Sequence, residues 1–160
     1  MRPDKSIVII GVGNPMRGDD AIGPLTLRAL AKTCPPEIRL IEIEGEATQL
    51  LEAVTGATAA IIIDACRSGS PAGTIHRFDV VKSPIPVNLG AFSSHGFGLA
   101  AGLELARSLK QLPRICVVFA VEVIEFNPGA GLTPEVSFCF NELLAAVEGE
   151  FERLLLETAS

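Results

Sequence analysis

Apolar positions in this chain follow two rhythms that alternate along its length. Ile7-Val8-Ile9-Ile10 is a continuous β-branched run that stops at Gly11, the pattern of a strand buried on both faces. From Asp20 to Thr33, residues Ile22, Leu25, Leu27, Leu30 and Ala31 recur close to helical period. Asp19 and Asp20 suit the N-terminus of that helix, and Pro35-Pro36 ends it. Ile38 to Ile43 alternates as a strand does, and Ala47 to Val54 predicts a short helix. Ala59-Ala60-Ile61-Ile62-Ile63 is a second buried run and ends at Asp64. After a Ser/Gly/Pro turn at residues 68–73, Thr74 to Val81 predicts another strand, and a polar loop with Pro84 and Pro86 follows. Ser94 can cap a helix from His95 to Leu109, and Ile115 to Val121 is the last strong strand. Beyond the glycine-rich stretch Asn127 to Gly131, Thr133 as N-cap and Pro134 at the first helical position start a helix that runs to about Leu156.

Strands alternating with helices predict an α/β fold: a single three-layer domain over residues 1–160, with a mainly parallel twisted sheet of about five strands covered by helices on both faces. There is no repeat, low-complexity tract or linker that would divide it. Hydrophobic residues make up 48% of the chain, yet it holds no Trp, no Tyr and only eight Phe, so the core must be aliphatic.

Charge narrows the partners. A net charge of −6 argues against a nucleic-acid backbone, which requires clustered Lys and Arg. No apolar run reaches membrane-spanning length, and Ile7 to Val12 is too short for a signal-peptide core, so the expectation is a cytoplasmic protein with no membrane partner. Cys34, Cys66, Cys116 and Cys139 show no CxxC spacing and read as free thiols, with Cys116 and Cys139 as core fillers. Nothing in the composition calls for an obligate dimer, and a monomer is expected.

The first loop, Gly11-Val12-Gly13-Asn14-Pro15-Met16-Arg17-Gly18-Asp19-Asp20, suggests a dinucleotide turn and then departs from it. Met16 stands where the third glycine belongs, and two acids stand where a pyrophosphate would sit. One acid is enough for helix capping; a second raises the prospect of a cation. Asp64, at the predicted end of a buried strand, faces the crevice where open parallel sheets bind ligands, although such a residue can also simply cap a turn. His95, just inside a predicted helix N-terminus, is held towards the neutral form that a metal ligand requires, or is an ordinary surface or core histidine. Together Asp20, Asp64 and His95 make a two-carboxylate, one-imidazole set suited to a divalent transition ion; spacing alone leaves their convergence open.

These motifs also resemble a known family. Gly11-x-Gly13-Asn14-x-x-x-x-Asp19-Asp20-x-x-Gly23 is similar to the opening motif of the [NiFe]-hydrogenase maturation endopeptidases. The segments ending at Asp64-Ala65 and at His95, and the late Leu132-Thr133-Pro134-Glu135-Val136, resemble later motifs of that family in the same order. The acidic position matching Asp20 is Glu in some members and Asp in others. The resemblance implies that Asp20, Asp64 and His95 are nickel-recognising ligands and catalytic residues. It implies an endopeptidase that removes a C-terminal extension from the hydrogenase large-subunit precursor after nickel insertion, with nickel supplied by the substrate or another divalent metal in its place.

The expected chemistry is metal-assisted amide hydrolysis. No Ser/His/Asp or Cys/His arrangement and no HExxH motif is evident; Cys66 makes a poor nucleophile candidate, and His76 reads as a strand surface residue. Glu44-Gly45-Glu46, Arg67-Ser68-Gly69 and Asn127 to Gly131 are candidate loops for gripping a precursor, or plain connections. Two other classes compete. A phospho-receiver domain needs a Lys at the end of its last strand, where Val117 to Glu122 has none. A nickel-site-recognising maturation chaperone would use the same ligands without cutting.

Overall fold

The computed structural model describes residues 6–86, 91–92, 98–124 and 131–159. Strands β1 (Ile7–Val12), β2 (Ile38–Ile43), β3 (Ala59–Arg67), β4 (Ile75–Asp79), β5 (Ala91–Phe92) and β6 (Ile115–Glu122) form one sheet. Helices α1 (Ile22–Leu30), α2 (Ala47–Val54), α3 (Gly98–Ser108) and α4 (Pro134–Ala159) cover it. The main path runs β2-β1-β3-β6-β4, with the short β5 paired antiparallel to the end of β3. β2, β1, β3 and β6 are parallel, and β4 closes one edge antiparallel to β6.

The apolar runs explain the layering. β1 and β3 are buried on both faces because their alternate residues enter different cores. Ile7, Ile9, Ile61, Ile63, Val117 and Phe119 pack against α1 and α4. Val8, Ile10, Ala60, Ile62, Val118 and Ala120 pack against α2 and α3. The crossover from β1 to β2 carries α1 on one face; the crossover from β2 passes over β1 to β3 and carries α2 on the other. Chain direction across the sheet therefore reverses between β1 and β3, the position at which open α/β sheets leave a ligand crevice beyond the strand ends.

Two sequence expectations shift, and a third falls outside the described residues. The first helix begins at Ile22 rather than Asp20, because Gly18–Ala21 winds into a tighter 3-10 turn before it. β3 does not end at Asp64; it continues to Arg67, supported by β6 on one side and then by β5. α3 is described from Gly98, and His95 with its predicted cap Ser94 lies outside the described residues, as do positions 127–130 of the glycine-rich loop. Thr133 and Pro134 open α4 as expected; the Thr133 carbonyl accepts the Ser137 N–H at 2.8 Å. No helix among the described residues is long and apolar enough to cross a membrane.

Candidate active site

Asp20 and Asp64 meet at the point where β1 and β3 separate. The β1–β3 ladder ends at Gly11↔Ile63, so Asp64 is the first β3 residue without a β1 neighbour, while β6 still pairs with it through Ala120. Its side chain is fully buried on the α2/α3 face, shared with Ile62 and Cys66. The Ala65 N–H donates to Asp64 Oδ1 at 2.8 Å; Oδ2 is buried and has no hydrogen-bond partner among the described residues.

The first loop supplies the second carboxylate by folding back on itself. Gly13 sits at φ +139°, and a Cβ there would lie 2.0 Å from the Asp20 carbonyl oxygen. Only glycine permits that approach. A Cβ on Gly23 would lie 2.5 Å from the Val12 carbonyl and 2.8 Å from that of Ile63, so α1 starts in direct backbone contact with both strand ends. The glycines of this loop thus serve backbone packing, and no glycine is needed where Met16 stands. The Asn14 N–H donates to Asp20 Oδ2 at 2.9 Å, and Asp20 is fully buried.

The adjacent acids do different work. Asp19 receives the Thr133 N–H at 2.7 Å on Oδ1 and the Thr133 hydroxyl at 2.8 Å on Oδ2, which ties the first loop to the start of α4. Asp20 instead lies close enough to Asp64 for its charge to act on that carboxyl. Burial pushes the Asp64 carboxyl well above the ordinary carboxylate range; the Ala65 N–H opposes this, and the Asp20 charge adds to it. An Asp64 carboxyl buried in this way beside a second acid is costly to ionise.

A second cluster lies further along the same strands. The Glu122 side chain, 1% exposed, accepts the His76 Nε2–H at 2.9 Å, the Cys66 thiol at 3.5 Å, and both the N–H and hydroxyl of Ser68. Burial alone would raise the Glu122 carboxyl; the hydrogen bonds from Ser68, His76 and Cys66 overcome it and hold the group below its ordinary value. Burial and the neighbouring Glu122 push the Cys66 thiol far up, which removes it as a ready nucleophile. His76 is not a plain strand-surface residue: its side chain is 22% exposed and hydrogen-bonded. Sequence reasoning passed over Glu122, whose signal was a charge closing an otherwise apolar strand. Of the candidate gripping loops, Glu46 forms a capping box with Gln49 at α2, while Arg67 and Gly69 line an open cleft of 470 Å³ with Glu122.

The same fold occurs in proteins of known kind. The chain is 28% identical over 159 residues to the hydrogenase expression/formation protein HupD of Thiocapsa roseopersicina, across 96% of this chain and 70% of that one. Its structure is similar to the hydrogenase maturating endopeptidase HybD from E. coli, with TM-score 0.76 and 25% identity over 92% of this chain and 93% of that chain. It is also similar to a further endopeptidase from Escherichia coli, with TM-score 0.77 and 26% identity over 89% of each chain. The family profile described as hydrogenase maturation protease matches residues 26–150, which include Asp64, His95 and the start of α4. The chain belongs to the hydrogenase maturation protease family.

Proposed function

We propose that this protein is a metal-dependent endopeptidase that removes the C-terminal extension of a [NiFe]-hydrogenase large-subunit precursor once nickel has been inserted, and that the nickel arrives with the precursor. The observation that carries this reading is the Asp64 carboxylate, buried at the sheet's switch point beside Asp20 with one oxygen unpartnered among the described residues. A buried carboxylate of this kind is costly without a cation and inexpensive with one.

Asp20, Asp64 and His95 would hold the ion, and two carboxylates with one imidazole leave positions for substrate and water. When bound, a divalent ion supplies Lewis-acid polarisation of the scissile carbonyl and activation of water. The chain's own contribution is positional. The Ala65 N–H fixes one Asp64 oxygen, Asn14 fixes one Asp20 oxygen, and the Asp19–Thr133 contacts hold the loop that carries Asp20. The segments Glu44 to Glu46, Arg67 to Gly69 and Asn127 to Gly131 would contact the precursor. With nickel brought by the substrate, the ligand set acts as a checkpoint, because an unmetallated precursor lacks the ion the carboxylates need.

The test uses a cognate precursor with the wild-type protein and with Asp64→Asn and His95→Ala, each verified as folded by circular dichroism. Loss of the C-terminal peptide with wild type and none with either variant supports the proposal. Cleavage by folded His95→Ala overturns the ligand assignment. Binding of the precursor by wild type without any cleavage points to the chaperone alternative.

A further inference from the structure

Cys66, His76 and Glu122 come from three adjacent strands and share one face of the sheet. Cys66 on β3 lies directly across from Glu122 on β6. His76 on β4 pairs with Ala120, two residues before Glu122 on the same face, so its ring reaches Glu122 diagonally. A sulfur, an imidazole nitrogen and a carboxylate oxygen thereby lie within 4.8 Å of one another. Cys66 and Glu122 are buried and His76 is half-buried.

We propose that Cys66, His76 and Glu122 form a second divalent-metal site, whose thiolate–imidazole–carboxylate donor set selects a zinc-like borderline ion. Bonds of about 2.3 Å to sulfur and about 2.0–2.2 Å to nitrogen and oxygen place tetrahedral ligand atoms roughly 3.3–3.7 Å apart. Cys66 Sγ is already 3.5 Å from Glu122 Oε1, and His76 Nε2 is 2.9 Å from the same oxygen. Side-chain adjustments of about 1 Å complete the geometry. Ser68 provides the supporting layer: its N–H is shared between Glu122 Oε2 at 3.1 Å and Oε1 at 3.2 Å and keeps the carboxylate oriented, while its hydroxyl, now on Oε1, would turn away as the ion takes that oxygen. Glu122 also lines the 470 Å³ cleft with Arg67, Gly69 and Ser70, which places the cluster beside that opening.

The site is separate from the Asp20/Asp64 pair. Asp64 and Cys66 share a face of β3 two residues apart, yet the ligand atoms that lie within 4.8 Å of one another among the described residues are those of Cys66, His76 and Glu122, without Asp64. On binding, the Cys66 thiol proton leaves to solvent, and the His76 proton moves from Nε2 to Nδ1, so the imidazole ligates in its neutral form. The inference does not depend on endopeptidase activity, and its readout is independent of cleavage.

Cobalt(II) reports the thiolate directly. Chelator-stripped, reduced protein titrated with cobalt should develop a thiolate-to-metal charge-transfer band that saturates by two equivalents in wild type, by one in Asp64→Asn, and is bleached by zinc. Cys66→Ser should lose the band, and His76→Gln should weaken cobalt binding by about 10-fold or more. Asp64→Asn should keep the band. Because His76 is half-buried, its Gln variant remains informative if Cys66→Ser fails to fold. Absence of the band in folded wild type shows a purely structural hydrogen-bond cluster and overturns the proposal. Persistence of the band in Cys66→Ser assigns it to another cysteine, and its loss in folded Asp64→Asn means one shared ion; both results overturn it as well.

Discussion

Replacing Asp64 with Asn keeps the shape of the side chain and removes a charge from a position water does not reach. In the wild type without metal, Asp64 Oδ1 has the Ala65 N–H, while Oδ2 is buried with no hydrogen-bond partner among the described residues. An unsatisfied buried charged group costs about 1–3 kcal/mol or more, and the neighbouring Asp20 charge adds to it. For a chain of this size each kcal/mol moves Tm by about 2–4 °C, so chelator-treated Asp64→Asn should melt about 2–12 °C above wild type at neutral to alkaline pH. The sign of the pH dependence follows from the raised carboxyl. Its contribution to stability is fully present below the unfolded value, 3.8, and is lost as pH rises through the higher folded value. Asn does not titrate, so the gap between variant and wild type should be small near pH ~4 and widen upward. The assay is differential scanning calorimetry of both proteins at matched pH. Adding nickel should then raise the wild-type Tm by more than that of the variant, which keeps only the Cys66 cluster as a metal site. An Asp64→Asn protein that is less stable than wild type at pH ~8, or a gap that does not change with pH, would refute the account of Asp64 as a charge awaiting a cation.

Other perturbations test the parts around it. Gly13→Ala puts a Cβ 2.0 Å from the Asp20 carbonyl at φ +139° and should cost about 2–4 kcal/mol in urea denaturation; a cost below about 0.5 kcal/mol means the loop is not packed as described. Asp19→Ala removes both acceptors of Thr133 and should cost about 1.5–3 kcal/mol; an unchanged denaturation midpoint argues against the tie between loop and α4. Glu122→Gln weakens the bonds from Ser68, His76 and Cys66. Because the folded Glu122 carboxyl is lowered, its stabilisation is present above the unfolded value, 4.5, and fades as pH falls through the folded one. The deficit of the variant should therefore be largest at neutral pH and shrink on acidification; a deficit that grows in acid contradicts the assignment.

Most of the frame was legible because burial on both faces leaves an unmistakable run of β-branched residues, as in β1 and β3. Thr133-Pro134 marked the start of α4 for an equally local reason. The 3-10 turn at Gly18–Ala21 was not legible: it depends on Gly13 folding onto Asp20, a contact between backbones rather than a periodicity. Nor was the extension of β3 to Arg67, which rests on pairing with β5 and β6. Asp20 and Asp64 stood out as charges at the ends of apolar segments, and the topology that brings them together follows from crossovers on opposite faces. The Cys66–His76–Glu122 cluster was hidden, because its members are joined only by strand register, and register between distant strands is not written in either strand alone.

The most direct measurement incubates the purified protein with nickel-loaded and nickel-free large-subunit precursor and reads the precursor mass. The account predicts loss of a C-terminal peptide from the loaded form and none from the empty one. Equal cleavage of both forms would contradict the nickel checkpoint, and an intact loaded cognate precursor would contradict the endopeptidase reading itself.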